Sequence, residues 1–178
     1  MYDSILIPTD GSEEMGSVAE QGIELARQCN ATVYVLHVVD ERAYLAVPND
    51  ARNRVRDTLK GDGDAATKAV AERAVDAGLE VTREIRWGDP SAAIISYSVE
   101  NDIDLIVMGT HGRTGYERYL LGSVAEKVVR IAPLPVLTIA VGDIEETIFE
   151  IEANLEVLTE ETDTGDTSED IGDLEDTR

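Results

Sequence analysis

The chain has 178 residues, 43% of them apolar and 29% charged, enough for one domain with its own core and chain to spare. Its net charge of −22 argues against nucleic acid as the main partner, because phosphate contacts need a basic patch. A single cysteine, Cys29, rules out an internal disulfide, and no apolar stretch is long enough to span a membrane.

Met1-Tyr2-Asp3-Ser4 lacks the basic and apolar regions of an export signal. With the lone cysteine, this sets the expectation of a cytoplasmic protein that acts away from membranes. Ser4 to Pro8 then reads as a buried strand. Ser12, Glu13 and Glu14 signal a helix start, and Val18, Ala19, Gly22, Ile23, Leu25 and Ala26 recur at helical spacing until Asn30 closes the helix. Ala31 to Val39 is a second strand, rich in β-branched residues. Pro48-Asn49-Asp50 reads as a turn into a helical stretch that Gly61-Asp62-Gly63 interrupts. A helix is expected from about Ala65 to Ala77, stopped by Gly78.

Leu79 to Trp87 alternates as a third strand. Asp89-Pro90 is a strong helix start, with aspartate as N-cap and proline in the first turn, and that helix runs to about Asn101. Asp104 to Met108 is a fourth strand, and a glycine-rich loop follows. A helix starting near Gly122 ends before Pro133, and Leu134 to Val141 is the fifth strand. Apolar runs alternating with amphipathic helices predict an α/β fold: a single doubly wound parallel five-stranded sheet with helices on both faces.

From Asp143 the texture changes. Residues 143–178 carry 15 of the 37 acidic residues and one of the 15 basic ones, which leaves 22 acids against 14 bases in the rest. Ile144, Ile148, Ile151, Leu155 and Leu158 form a narrow apolar stripe, so 143–161 reads as an amphipathic acidic helix. Residues 162–178 read as a disordered acidic tail, and 1–142 as the folded domain. Three lysines stand against twelve arginines. Low lysine with abundant acid resembles proteins of salt-loving cells, in which ionic strength screens self-repulsion.

In an open α/β sheet, ligands bind beyond the carboxyl ends of the strands, where neighbouring connections leave in opposite directions. Two loops fit that place: Pro8-Thr9-Asp10-Gly11-Ser12, and Gly109-Thr110-His111-Gly112-Arg113-Thr114-Gly115 continuing to Gly122-Ser123. Glycines let backbone N–H groups approach a phosphate closely, and Gly122-Ser123 stands at a helix start, where free N–H groups and the dipole attract an anion. No lysine follows the last glycine, so this is not a Walker loop, and the dinucleotide fingerprint is absent.

The spacing Gly109-x2-Gly112-x9-Gly122-Ser123 is similar to the ATP-binding motif of the universal stress protein family. Pro8-Thr9-Asp10-Gly11-Ser12, Leu36-His37-Val38-Val39 and Pro135-Val136-Leu137 support that resemblance, which covers about residues 1–141. It implies strand order 3-2-1-4-5 and ATP, with or without Mg2+, as ligand. It further implies that Asp10 lies near ribose and adenine, with Pro8 and Thr9 also among the nucleotide-binding residues, that the Val38 backbone meets the base, and that Met108 lines the pocket. Gly109, Gly112, Gly122, Ser123 and Val124 would wrap ribose and phosphates, with His111 and Arg113 in the same loop. The family also implies a homodimer through the last strand.

Plainer readings stand beside these. Asp10-Gly11-Ser12 also reads as a turn and helix cap. His37 reads as a packed, hydrogen-bonded histidine, Cys29 as core, and Arg113 as either a phosphate contact or a solvated side chain. No catalytic residue or metal cluster is found, although slow ATP hydrolysis or autophosphorylation stays open. An adenylating enzyme would want a Ser-Gly-Gly-type loop after the first strand, a response regulator further acids and a lysine, and a flavodoxin-like site a Ser/Thr-rich first turn. An interaction protein with a vestigial nucleotide site is the remaining alternative.

Overall fold

The computed structural model describes residues 1–45, 47, 48, 50–110 and 121–141. Five parallel strands form one sheet in the order β3-β2-β1-β4-β5. They are β1 (Ser4–Pro8), β2 (Thr32–Asp40), β3 (Val81–Gly88), β4 (Leu105–Gly109) and β5 (Val136–Ile139). The helices are α1 (Met15–Cys29), a short α2 (Glu41–Leu45), α3 (Arg52–Asp76), α4 (Pro90–Glu100) and α5 (Ser123–Ile131). β1 is central, pairing Ser4↔Thr32 through Pro8↔Leu36 on one side and Ile5↔Leu105 on the other. Ile5, Leu6 and Ile7 are wholly buried, as a strand covered on both faces must be.

Side-chain alternation divides the core in two. Ile5, Ile7, Val33 and Val35 pack with Val18, Ala19 and Ala26 of α1 and with Val70 and Ala74 of α3. Leu6, Leu36, Ile106 and Met108 pack on the other face with Ile94 and Tyr97 of α4 and with Ala125 and Val128 of α5. Helices on both faces make the sheet doubly wound, as the βα repeats predict.

The local signals fare unevenly. Asn30 stops α1 in a left-handed conformation (φ 55°), and Asp89 caps α4 by accepting the Ala92 N–H at 3.1 Å, with Pro90 at the first position. Ser12 is not the cap of α1. Its own N–H is bonded to Asp10 Oδ1 at 2.9 Å, and the helix begins three residues later. Cys29 is half-buried at the edge of the α1 core, as expected of a packed thiol.

Two expectations are corrected. Gly61-Asp62-Gly63 does not interrupt a helix: α3 runs unbroken from Arg52 to Asp76. A Cβ on Gly63 would lie 2.7 Å from His37 Cδ2, so the glycine serves close packing of the helix on β2. The paired part of the fifth strand is also shorter than Leu134 to Val141. Pro135 has no N–H for a ladder, and pairing begins at Val136 and ends at Ile139. The acidic helix placed at 143–161 and the tail at 162–178 lie outside the described residues.

Candidate functional site

The first loop is held from β2. Thr9 N–H donates to the Leu36 carbonyl at 2.9 Å, and His37 Nδ1 lies 2.8 Å from the Thr9 carbonyl oxygen. That oxygen can only accept, so Nδ1 carries the hydrogen. The chain then turns at Gly11 (φ 78°), with Gly11 N–H on Thr9 Oγ1 at 3.2 Å and Ser12 N–H on Asp10 Oδ1. Asp10 therefore does build the turn that its neighbours suggest, and it also lines the cavity described below. His37 is packed and hydrogen-bonded, as read from its place near a strand end.

The second loop leaves β4 and returns to the same point. Thr110 N–H donates to the Ile139 carbonyl at 2.9 Å, while the Thr110 carbonyl accepts Gly122 N–H at 2.7 Å. Thr110 thus joins both ends of the loop to the sheet. His111, Gly112 and Arg113 fall between these ends and lie outside the described residues. α5 begins immediately after, with Gly122 at its N-cap and its first-turn N–H groups at the cavity edge.

Strand β2 supplies a third wall. Val33 N–H bonds to Glu80 on the β3 side, whereas the Leu36 carbonyl bonds on the β1 side. By alternation the Val38 N–H and C=O also point to the β1 side, where β1 has already ended. Leu36, Val38 and Asp40 turn their side chains to one face at steps of two.

These segments meet in a cavity of about 550 Å3 at the carboxyl ends of the strands, between the connections leaving β1 and β4. It brings together Pro8, Thr9 and Asp10 from the first loop, Val38 from β2, Met108 and Gly109 from β4, and Gly122, Ser123 and Val124 from the start of α5. Thr110, from the second loop, also lines it, and sequence reasoning missed Met15, Leu36, Asp40, Pro90, Ile94 and Ala125. The family resemblance names Val38, and steps of two along β2 from it reach Leu36 and Asp40. Pro90 and Ile94 arrive from α4, whose position depends on the fold.

The cavity is apolar along Leu36, Val38, Ile94 and Met108 and polar at Thr9, Asp10, Thr110 and Ser123. Among the described lining residues there is no lysine or arginine, and the donors they offer an anion are backbone N–H groups and hydroxyls. At the rim, Arg42 bonds Asp40 through Nε and Nη2, both at 3.1 Å, and comes within 3.6 Å of Asp89. The Arg42 hydrogen bonds hold the Asp40 carboxyl below the usual carboxylate range. Asp89 is lowered too, first by the Ser91 hydroxyl and then by the Ala92 N–H.

Against known proteins, the sequence profile of the universal stress protein family matches residues 1–140, the segment that builds the sheet and the cavity. The chain belongs to the universal stress protein family. A universal stress protein of Methanocaldococcus jannaschii is 39% identical over 140 residues, which cover 78% of this chain and 82% of that one. A second protein of that organism, also a universal stress protein, is 30% identical. Its solved structure superposes with a TM-score of 0.72, covering 80% of this chain and 99% of its own. The universal stress protein UspA of Lactobacillus plantarum superposes at 0.68 with 28% identity, over 78% of this chain and 97% of that one. Both superpositions span nearly the whole of the solved protein, and the family profile ends at residue 140, before the acidic C-terminal segment of this chain.

Proposed function

We propose that this universal stress protein binds ATP, with or without Mg2+, and acts in the stress response as a nucleotide-dependent regulatory or protective protein. One observation carries the reading: nine residues picked from four separated stretches of sequence line one cavity. Its volume lies inside the roughly 300–1,000 Å3 range of small-molecule sites. Its apolar wall suits a flat base, the Val38 backbone offers a donor and an acceptor to the edge of that base, and the start of α5 suits phosphates. His111, Gly112 and Arg113 would complete the phosphate side. Two universal stress proteins of this fold, 22% and 23% identical to the chain, are solved in complex with cAMP and dAMP. At that identity the fold is what they share with it.

The reading makes the protein a binder, with slow hydrolysis or autophosphorylation the most chemistry it would support. It also takes the protein to be cytoplasmic, and adapted to high salt on account of its charge. Among the described residues no helix is long and apolar enough to cross a membrane. Nucleotide released by denaturation from the purified protein, identified by mass, tests the site. ATP or ADP near one per chain supports the proposal. An empty protein that also ignores Mg-ATP in molar KCl refutes it and returns the cavity to scaffold.

A further inference from the structure

The β1–β2 ladder ends at Pro8↔Leu36, and its next bond would run from the Val38 N–H to the Thr9 carbonyl. An imidazole takes that acceptor instead. We propose that His37 is the positioning residue of the cavity: its Nδ1–H on the Thr9 carbonyl fixes the turn that aims Asp10 inward and ends the ladder so that the Val38 backbone is left for a ligand. The effect on ligand binding rests on the nucleotide reading above. The effect on the turn does not.

Thr9 is clamped by consecutive residues of β2, its N–H on the Leu36 carbonyl and its own carbonyl on His37. It is 6% exposed, and the chain turns at Gly11 two residues on. The His37 ring lies on the α3 face, among the odd-numbered side chains of β2, whereas the cavity lies on the face of Leu36 and Val38. It therefore acts on the site through Thr9 and does not touch the ligand.

The seat of the ring is built for it. Gly63 faces the imidazole so closely that a Cβ there would sit 2.7 Å from Cδ2 and 3.3 Å from Cγ. Ile85 bounds the same space. A glycine inside a helix is less stable there than alanine, and here the room it leaves is occupied by the ring. One turn on, buried Thr67 donates its hydroxyl to the Gly63 carbonyl at 2.9 Å, tying that stretch of α3. A helix on the far side of the sheet thus sets the position of a ring that holds the Asp10 turn.

Two substitutions separate the hydrogen bond from the bulk of the ring. His37→Phe keeps an aromatic ring and loses the donor, whereas His37→Asn returns an N–H close to the Nδ1 position. Amide hydrogen exchange at Gly11 and Ser12 and ATP affinity are measured on the full chain. In His37→Phe, exchange at Gly11 and Ser12 rises about tenfold, the effect of one buried hydrogen bond, while β4 exchanges as in the parent. ATP affinity falls by a similar factor, His37→Asn recovers most of both, and His37→Phe adds little in an Asp10→Ala background. Native exchange at Gly11 and Ser12 in the Phe variant overturns the proposal, as does an Asn variant no better than Phe. If the Phe variant does not fold, Gly63→Ala displaces the ring from behind, and unchanged exchange there overturns the proposal equally. A parent protein that ignores ATP defeats the nucleotide reading, while exchange still decides the role of His37.

Discussion

Thr110 and Gly122 are joined by a 2.7 Å hydrogen bond from the Gly122 N–H to the Thr110 carbonyl, so the loop between them leaves and re-enters the sheet at a single point. That bond sets the first turn of α5 at the carboxyl end of β4, facing the Asp10 turn across the cavity. On the ATP reading, a side chain added at Gly122 would stand where a phosphate approaches. The dihedrals there (φ −56°, ψ 147°) suit any residue, so a side chain would not strain the backbone, although valine is a poorer N-cap than glycine. Gly122→Val should keep a cooperative melt at a somewhat lower temperature and lose ATP binding by more than about tenfold, since hydrogen bonds to charged groups contribute about 1.5–3 kcal/mol each. Titration calorimetry beside a thermal melt checks it, and a folded variant with parental affinity would misplace the phosphates.

Asp10 builds a turn and lines the cavity, and substitutions can separate the two. Asp10→Asn keeps an oxygen for the Ser12 N–H and loses the charge, while Asp10→Ala loses both. Alanine should weaken ATP binding about tenfold, by roughly 1.4 kcal/mol, with a cooperative melt retained. Parental affinity in the alanine variant would leave Asp10 with the turn alone.

Asp104 ties the start of β1 to β4. Its Oδ2 accepts the Asp3 N–H at 2.8 Å, the Ser4 N–H at 3.0 Å and the Ser4 hydroxyl at 3.1 Å, and these bonds, that of Asp3 foremost, hold its carboxyl below the ordinary range. A depressed folded pKa gives stability that is present above the unfolded value, about 3.9, and is lost as pH falls through the folded one. Asp104→Ala should cost about 1 kcal/mol at pH 7. Urea melts from pH 7 to pH 2.5 should show that difference shrinking below about pH 4.

Tyr97 is wholly buried, and its hydroxyl has no hydrogen-bond partner among the described residues. The ring contributes more than the hydroxyl: Arg86 stacks over it at 4.6 Å, and Tyr34 meets it edge-on. Removing an unpaired buried hydroxyl recovers desolvation, so Tyr97→Phe should be neutral or stabilising by up to about 1 kcal/mol. Burial pushes the phenol up to about 12. The neutral form is favoured in the fold, so the parent should lose stability as pH rises from about 10 toward 12. The Phe variant should lack that component in denaturant melts.

The homodimer expected through the last strand rests on β5, which pairs with β4 on one side and on the other is the last of the described strands. Leu137 on β5 and Ile131 at the end of α5 are 42% and 62% exposed. An edge of this kind invites covering. Light scattering in molar KCl should give about twice the 19.4 kDa chain mass, with Leu137→Lys shifting it toward one. A monomeric parent would end the dimer reading.

Much of the fold was legible because βα repeats write it locally. Buried parallel strands show as apolar runs, and Asn30 and Asp89-Pro90 punctuate helices by the shape of their own backbones. Where a signal depended on what lay opposite, local reading failed. Gly61-Asp62-Gly63 looks like a break until His37 is found against Gly63, and Ser12 looks like a cap until Asp10 is found bonded to its N–H.

By itself, then, the sequence determined the α/β class, the two loops that face each other at the strand ends, and the family they mark, because each is carried by residues close together in the chain. Only the tertiary structure decided that Asp40 and Ile94 join the cavity, that Arg42 occupies the Asp40 carboxylate, and that His37 holds Thr9 from the opposite face. Those relations set residues from different elements within a few ångströms of one another. Such distances come from how the helices pack on the twisted sheet, which no stretch of sequence encodes alone.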